Sequence, residues 1–430
     1  MGNILLKTAT VITFDPLEVE RADLRISNGK ILQRGPSLDA QPGEEAIDIA
    51  GKLVMPGMVC AHTHLYSALA RGMPGPVDPP RNFLEILQKI WWKLDRALDE
   101  EAIYYSAIVG AIDAARAGTT CVIDHHASPN CITGSLSIIR QALEKVGIRA
   151  ALCYEVTDRG GERERNLGLD ENRAFLAASN GEMFRGLVGA HASFTLSSES
   201  LRGCAELARQ FTTGIHIHVA EAPDDEQDAR EKYHCSLIER LAEAGALNER
   251  AILAHCTHLS EESLSAARQA ACWLAHNPRS NMNNQVGYAN VASFGDRATL
   301  GADGISGDMF EEAHFAFFKA RDARSAIGAD DVLHLLSNNH KLASTIFGSN
   351  LDDLKQGSAA DLIVLDYASP TPLTPANFAW HLVFGLTAAS VESVMVNGKF
   401  IIRGRAFETL DVGEIYRKAR LAAQRLWAKM

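Results

Sequence analysis

Met58-Val59-Cys60-Ala61-His62-Thr63-His64 sets a short apolar run against a polar end. Four apolar residues are too few for a core helix, and a continuous run of that length suits a strand buried on both faces. The same unit recurs along the chain. Apolar segments end near His62 (Met58 to Ala61), Asp124 (Thr119 to Ile123), Tyr154 (Arg149 to Cys153), His191 (Gly186 to Ala190), His218 (Gly214 to Ile217), His255 (Ala251 to Ala254), His276 (Cys272 to Ala275) and Asp303 (Ala298 to Ala302). Helical patterns intervene, as at Leu136 to Val146, Ser197 to Gln210, Leu237 to Ala244 and Glu311 to Arg324. Eight strands alternating with helices predict an α/β fold, a parallel (β/α)8 TIM barrel rather than an open doubly wound sheet. No GxGxxG follows the first strand, so a dinucleotide-binding fold is unsupported.

Outside this repeat, the two ends of the chain carry matching signals. Asn28-Gly29-Lys30 is followed by Arg34-Gly35, and Asn397-Gly398-Lys399 by Arg403-Gly404, at identical spacing. Asn-Gly between apolar β-formers marks a hairpin, because a type I′ turn needs positive φ at both central residues. With a further strand at Ala360 to Asp366, residues 1–56 and 350–410 are expected to form one small sheet domain, and 57–349 the barrel. Residues 411–430 read as a helix packing Ile415, Ala419, Ala422 and Leu426 on the barrel.

Composition narrows the function classes. The 430 residues are 47% hydrophobic and 22% charged, an ordinary globular balance that excludes disorder and low-complexity architectures. Fifty-three acids against 42 bases give a net charge of -11, which argues against nucleic acid as a partner. No apolar run is long enough to span a bilayer and no signal-peptide pattern is present, so a cytoplasmic protein with no membrane partner is expected. The eight cysteines form no CxxC pair and read as reduced thiols.

Eight of the fifteen histidines lie at or just past a strand's C-terminal end: His62, His64, His125, His126, His191, His218, His255 and His276. That rim is where a barrel builds its active site. His62 and His64 have period-two spacing, so both imidazoles project toward the barrel axis and can chelate one ion. A third nitrogen is available from His218 and a carboxylate from Asp303. Three imidazoles and one carboxylate suit Zn²⁺, with Fe²⁺ as the alternative, and leave a position open for water. His216 faces inward one layer deeper, as a supporting or core residue. Glu221, three residues past His218, places a carboxylate beside the expected ion, where it can accept and return a proton.

These residues resemble the amidohydrolase superfamily, in its cytosine deaminase-like branch of single-metal aminohydrolases. The matching pieces are Pro56-Gly57 before His62-Thr63-His64, His218-Val219-Ala220-Glu221, Ala254-His255-Cys256, His276-Asn277-Pro278 with Ser280-Asn281, and Gly301-Ala302-Asp303-Gly304. The resemblance implies a distorted barrel flanked by a β-sandwich, and one divalent metal held by His62, His64, His218 and Asp303. Binuclear relatives carry a lysine at the end of the fourth strand, where this sequence has His191, which favours one ion. Longer stretches, Ala190 to Ser197, His276 to Asn284 and Asp308 to Ala313, are similar to aminohydrolases of selenium-dependent purine or xanthine hydroxylase gene clusters. His125-His126 after Asp124 is also similar to an arrangement in 8-oxoguanine deaminases and hydroxyatrazine hydrolases.

The implied reaction is deamination of an amino-substituted N-heterocycle, a purine, pterin or pyrimidine, by metal-activated water. Glu221 would carry the proton to the ring nitrogen, Asp303 would pass one to the leaving amine, and His255 would hydrogen-bond the developing oxyanion. Hydrolysis of another ring C–N bond, a C–halogen bond or a cyclic amide fits the same residues. A non-catalytic metal-binding partner of a hydroxylase does not need Glu221 or His255. Substrate reading is expected from His125, His126, His191, Tyr154, Glu155 and Arg279, whose guanidinium can grip a carbonyl or carboxylate. The Gly- and Pro-rich stretch Ala68 to Pro80 has a lid-loop composition, with Phe83, Trp91 and Trp92 covering the pocket or packing in a core. Dimers are common in similar proteins, and a homodimer stays open.

Overall fold

The structure, a computed structural model, describes residues 3–179 and 181–430; Met1 and Gly2, which begin the segment assigned to the small sheet, and Asn180 lie outside the described residues. Five strands come first, β1 (Ile4–Phe14), β2 (Leu17–Ser27), β3 (Lys30–Gly35), β4 (Glu45–Asp48) and β5 (Leu53–Pro56). Nine follow: β6 (Met58–Thr63), β7 (Thr119–His126), β8 (Arg149–Val156), β9 (Phe184–Gly186), β10 (Val188–Ala192), β11 (Ile215–Val219), β12 (Ile252–His255), β13 (Trp273–His276) and β14 (Ala298–Leu300). The last four are β15 (Leu362–Leu365), β16 (Val391–Val396), β17 (Lys399–Arg403) and β18 (Ala406–Phe407).

The middle group forms the parallel barrel in the order β14-β13-β12-β11-β10-β8-β7-β6, with β9 beside β8. Its strands are buried along their whole length, which is why they read as unbroken apolar runs. Four of the helices between them begin at side-chain caps. Asp99, Ser197 and Ser260 each accept from a backbone N–H of the first turn, and Ser236 forms a reciprocal capping box with Glu239.

The barrel closes between β6 and the end of β14. Thr63 bridges Asp303, and the N–H groups of Ala302 and Asp303 both donate to the His62 carbonyl, at 2.8 and 3.0 Å. Gly301 permits this approach, since a Cβ there would lie 2.7 Å from the Cβ of His62. Asn339, buried on the helix Ala329–Phe347, staples the seam. Its Oδ1 accepts from Leu300 N–H at 2.8 Å, and its Nδ2 donates to the carbonyls of Val59 and Leu300 at 2.6 and 2.8 Å.

Both chain ends build the second sheet, in the order β18-β17-β16-β15-β5-β1-β2-β3 with β4 on β1. The two Asn-Gly turns are present as expected: Asn28, Gly29, Asn397 and Gly398 all have positive φ. The turns face one another so closely that a Cβ on Gly29 would meet Asn397 Oδ1 at 2.3 Å. The C-terminal helix Val412–Trp427 buries Ala419, Ala422, Ala423 and Leu426, and Trp427 Nε1 donates to the Leu69 carbonyl at 2.9 Å. No helix among the described residues is long and apolar enough to cross a membrane.

Candidate active site

His62, His64, His218 and Asp303 converge at the C-terminal end of the barrel, one ligand atom from each within 4.8 Å of every other. The hydrogen bonds behind them fix which nitrogen faces inward. His64 Nδ1 donates to the His125 carbonyl at 2.5 Å, and His218 Nδ1 to the His191 carbonyl at 2.7 Å. Each therefore points an Nε2 lone pair into the cluster, and the two nitrogens lie 3.0 Å apart. His62 is held through Nδ1 by His216 at 2.8 Å, which leaves its buried Nε2 without a hydrogen-bond partner. Asp303 Oδ1 lies 2.9 Å from His64 Nε2 and 3.3 Å from His62 Nε2.

Lone pairs and a carboxylate oxygen gathered this closely repel one another unless a cation lies among them, and outer partners that set the tautomer are what a metal-binding histidine requires. These residues fit a divalent metal. Burial lowers the imidazole pKa values, taking His218 down to about 3. At His64 the same burial is outweighed by Asp303, which raises it to about 9 and marks the cluster as a place that favours positive charge.

Two further groups border the cluster. Glu221 Oε1 accepts from Asn284 Nδ2 at 3.1 Å, while Oε2 lies 3.5 Å from His255 Nε2. Burial, the largest influence, pushes the Glu221 carboxyl up to about 7. His255 Nδ1 donates to Asn281 Oδ1 at 2.8 Å, and the Asn281 amide nitrogen donates to Thr257, so the orientation of both is set. Ser280 donates to Asp303 Oδ2 and receives from Asn284, linking the two carboxylates. Ala220, His255, Cys256 and Asp303 all adopt positive φ, so the backbone is strained where the strands give way to these side chains.

The cavity over the cluster, about 810 Å³ including its open mouth, is lined by His64, His218, Glu221 and Asp303 on one side. Phe83, Trp91 and Trp92 form an outer wall, and His191 and Glu155 also line it. Four of the expected substrate readers do not. The strands β7 and β8 continue past their apolar runs because His125 pairs with Cys153 and His126 with Tyr154, so these residues lie within the sheet instead of beyond it. His125 Nε2 donates to the carbonyls of Ala190 and His216, His126 Nε2 meets Ser128 Oγ at 2.9 Å, and Tyr154 Oη accepts from Ser128 N–H. Arg279 is spent on the protein itself: it binds Glu312 through Nε at 2.5 Å, Glu311 through Nη1 and the Ser306 carbonyl through Nη2 at 2.6 Å. Arg279, His125, His126 and Tyr154 thus have partners within the protein, and none of the four lines this cavity. Ala68 to Pro80 contributes no residue to the cavity wall.

Tyr66, Asp95 and Asn284 line the cavity although no sequence signal gave them a role there. Asn284 ends a stretch whose family likeness attaches no task to it. Asp95 follows a helical segment with a π-turn at Leu87–Trp91, and nothing local in the sequence marks it.

Comparison with known proteins gives the family and the fold. The model of the amidohydrolase family matches residues 53–401. A 5-methylthioadenosine/S-adenosylhomocysteine deaminase of Thermococcus sibiricus is 29% identical over 93% of this chain and 94% of its own. A 5'-deoxyadenosine deaminase of Methanobrevibacter smithii is 29% identical over 99% and 98%. Among solved structures, an adenosine deaminase from Xanthomonas campestris with bound zinc superposes with a TM-score of 0.86 at 21% identity, covering 99% of this chain and 98% of that one. At that identity the likeness establishes the fold.

Proposed function

The chain belongs to the amidohydrolase family, and from that membership and the geometry of its site we propose that it is a metal-dependent aminohydrolase, removing the exocyclic amine of a purine-, pterin- or pyrimidine-type ring. The observation that carries the reading is the set of inward-facing Nε2 atoms of His62, His64 and His218 with Asp303, bordered by Glu221 and His255. These four side chains would hold one divalent ion, zinc in the first place. Such an ion supplies Lewis-acid activation of water at neutral pH.

The chain's own groups manage the protons. Glu221, with Oε1 fixed by Asn284 and a proton affinity near neutrality, accepts the first proton of the attacking water on Oε2 and returns it to the ring nitrogen beside the reacting carbon. His255, fixed at Nδ1 by Asn281, presents Nε2 to the same space, placed to hydrogen-bond the developing oxyanion. Asp303 passes the second proton to the departing amine, so that water and the aminated ring yield the oxo ring and ammonia. The names of these two relatives, both adenosine-type deaminases, support an aminopurine within this class.

The test is ammonia release from a panel of aminopurines, pterins and aminopyrimidines by the zinc-loaded protein and by Glu221→Gln. Turnover should fall by about 10²- to 10⁴-fold in the variant, the usual worth of a general acid–base group, with one ion per chain retained. Near-wild-type turnover in the variant would remove Glu221 from the mechanism. A panel without any turnover would remove the aminohydrolase reading.

A further inference from the structure

The cavity has a second polar wall to which the proposed reaction gives no task. Asp95, from the helix Trp92–Ala97, and Glu155, from β8, both line it and are 2% and 4% exposed. One guanidinium serves both: Arg159 donates from Nη2 to Glu155 Oε1 at 2.5 Å and approaches Asp95 Oδ2 with Nη1 at 3.5 Å. The same guanidinium stacks 4.7 Å from the ring centroid of Trp92.

The remaining acceptors of this wall have no donor. Asp95 Oδ1 is buried without a hydrogen-bond partner, and behind the wall so is His125 Nδ1, 3.7 Å from Glu155 Oε2. That nitrogen carries a lone pair, because His125 spends its N–H from Nε2 on the carbonyls of Ala190 and His216. His191 Nε2, 4.0 Å from Glu155 Oε1, carries one too. The Thr195 hydroxyl gives its proton to the Ala192 carbonyl and so must receive the Nδ1–H of His191, at 2.7 Å. Burial is the main influence on both carboxyls and raises them in spite of Arg159, Asp95 to about 7.

A buried wall of acceptors selects by what it lacks. Lone pairs on a ligand placed against it would stay unpaired, whereas N–H groups would satisfy both sides. Glu155 also stands close to the metal cluster, one of its oxygens lying within 4.8 Å of a His218 nitrogen. At that range the wall meets the ring itself before any group attached beyond it. We propose that Asp95 and Glu155, braced by Arg159 and backed by His191, bind ring N–H donors on the substrate edge remote from the reacting carbon, so that the enzyme selects unsubstituted heterocyclic bases over N-alkylated bases and nucleosides. Where the reacting carbon lies rests on the aminohydrolase reading, but the recognition itself does not.

The experiment is equilibrium binding to the zinc-loaded full-length chain, with 2-aminopurine, its 9-methyl derivative and adenosine as probes. Wild type should bind 2-aminopurine about tenfold or more tightly than the methylated base, the scale of a hydrogen bond to a charged acceptor. Glu155→Gln and Asp95→Asn should bring that ratio to about threefold or less by weakening only the unmethylated probe. A wild-type ratio near one, no binding of either base, or a ratio that survives both substitutions would overturn the proposal. Adenosine binding more tightly than 2-aminopurine, with Glu155→Gln abolishing the preference, would mean that the wall reads a diol, and would overturn it equally. If neither variant folds, the wild-type ratio alone decides. Because the readout is affinity, a normal ratio without ammonia release on the wider panel would sink the aminohydrolase reading and leave the recognition standing.

Discussion

Arg279 shows how a single residue changes meaning once its surroundings are known. In sequence it interrupts a neutral stretch, and its partners Glu311 and Glu312 stand over thirty positions away on another helix, so no local pattern reveals them. Glu312 is completely buried, and burial pushes its carboxyl up to about 7 even beside the guanidinium. Arg279→Met should therefore act on stability, leaving a buried carboxylate unpaired at a cost of about 3 to 5 kcal/mol. Urea unfolding measures it, and adding Glu312→Gln should recover part of the loss. Unchanged unfolding together with a selective loss of one substrate would restore Arg279 as a reader of that substrate. The same scale explains what was legible: His62 and His64 share a side of one strand by period-two geometry alone, and the structure brings both to one cluster.

At the scale of elements, the eight barrel strands were legible because burial on both faces writes itself as an apolar run, whatever the rest of the chain does. Their ends were not. Where a run stops, backbone pairing continues: β7 and β8 pair through His125, His126 and Tyr154, and a polar side chain inside a strand looks the same in sequence as one just beyond it. The segment that carries Asp95 was opaque for another reason, since a π-turn breaks the helical period on which pattern reading depends. Closure of the barrel depends on β6 and β14 meeting, and Asn339 supplies three hydrogen bonds to that seam. Asn339→Ala would leave the Leu300 N–H and the Val59 and Leu300 carbonyls short of partners, for a loss of about 2 to 4 kcal/mol. Because the seam also sets Asp303 beside His62, the zinc content of the purified variant should fall along with its urea midpoint. A variant that loses stability but keeps full zinc occupancy would show that the ligands are positioned without the staple.

On the scale of the whole molecule, the joint between the barrel and the sheet of the chain ends lies opposite the candidate site. The ligand cluster sits at the C-terminal ends of the strands, whereas Arg149 begins β8 at the other end and reaches into the sheet made from the chain termini. It meets Asp361 twice, Nε to Oδ2 at 2.8 Å and Nη2 to Oδ1 at 3.1 Å, and lies over the Phe347 ring. Asp361 in turn accepts from the Asn397 N–H at 2.7 Å, at one of the two Asn-Gly hairpin turns. One buried ion pair thus ties the barrel to both matching hairpins, because the Asn397 turn packs against Gly29. Arg149→Leu leaves Asp361 buried without its partner and should cost about 3 to 5 kcal/mol. Below the unfolding transition, kcat/KM should stay within about twofold of wild type, since bottom-face residues of a barrel serve stability and the chemistry lies at the other rim. Helical circular dichroism and amide hydrogen exchange of the sheet strands β1 and β15, followed across a urea series, should report one shared, lowered transition. If the sheet from the chain ends melted first and left an active barrel, the two probes would separate, and the ion pair would be an ornament on two independent bodies instead of the joint that makes them one.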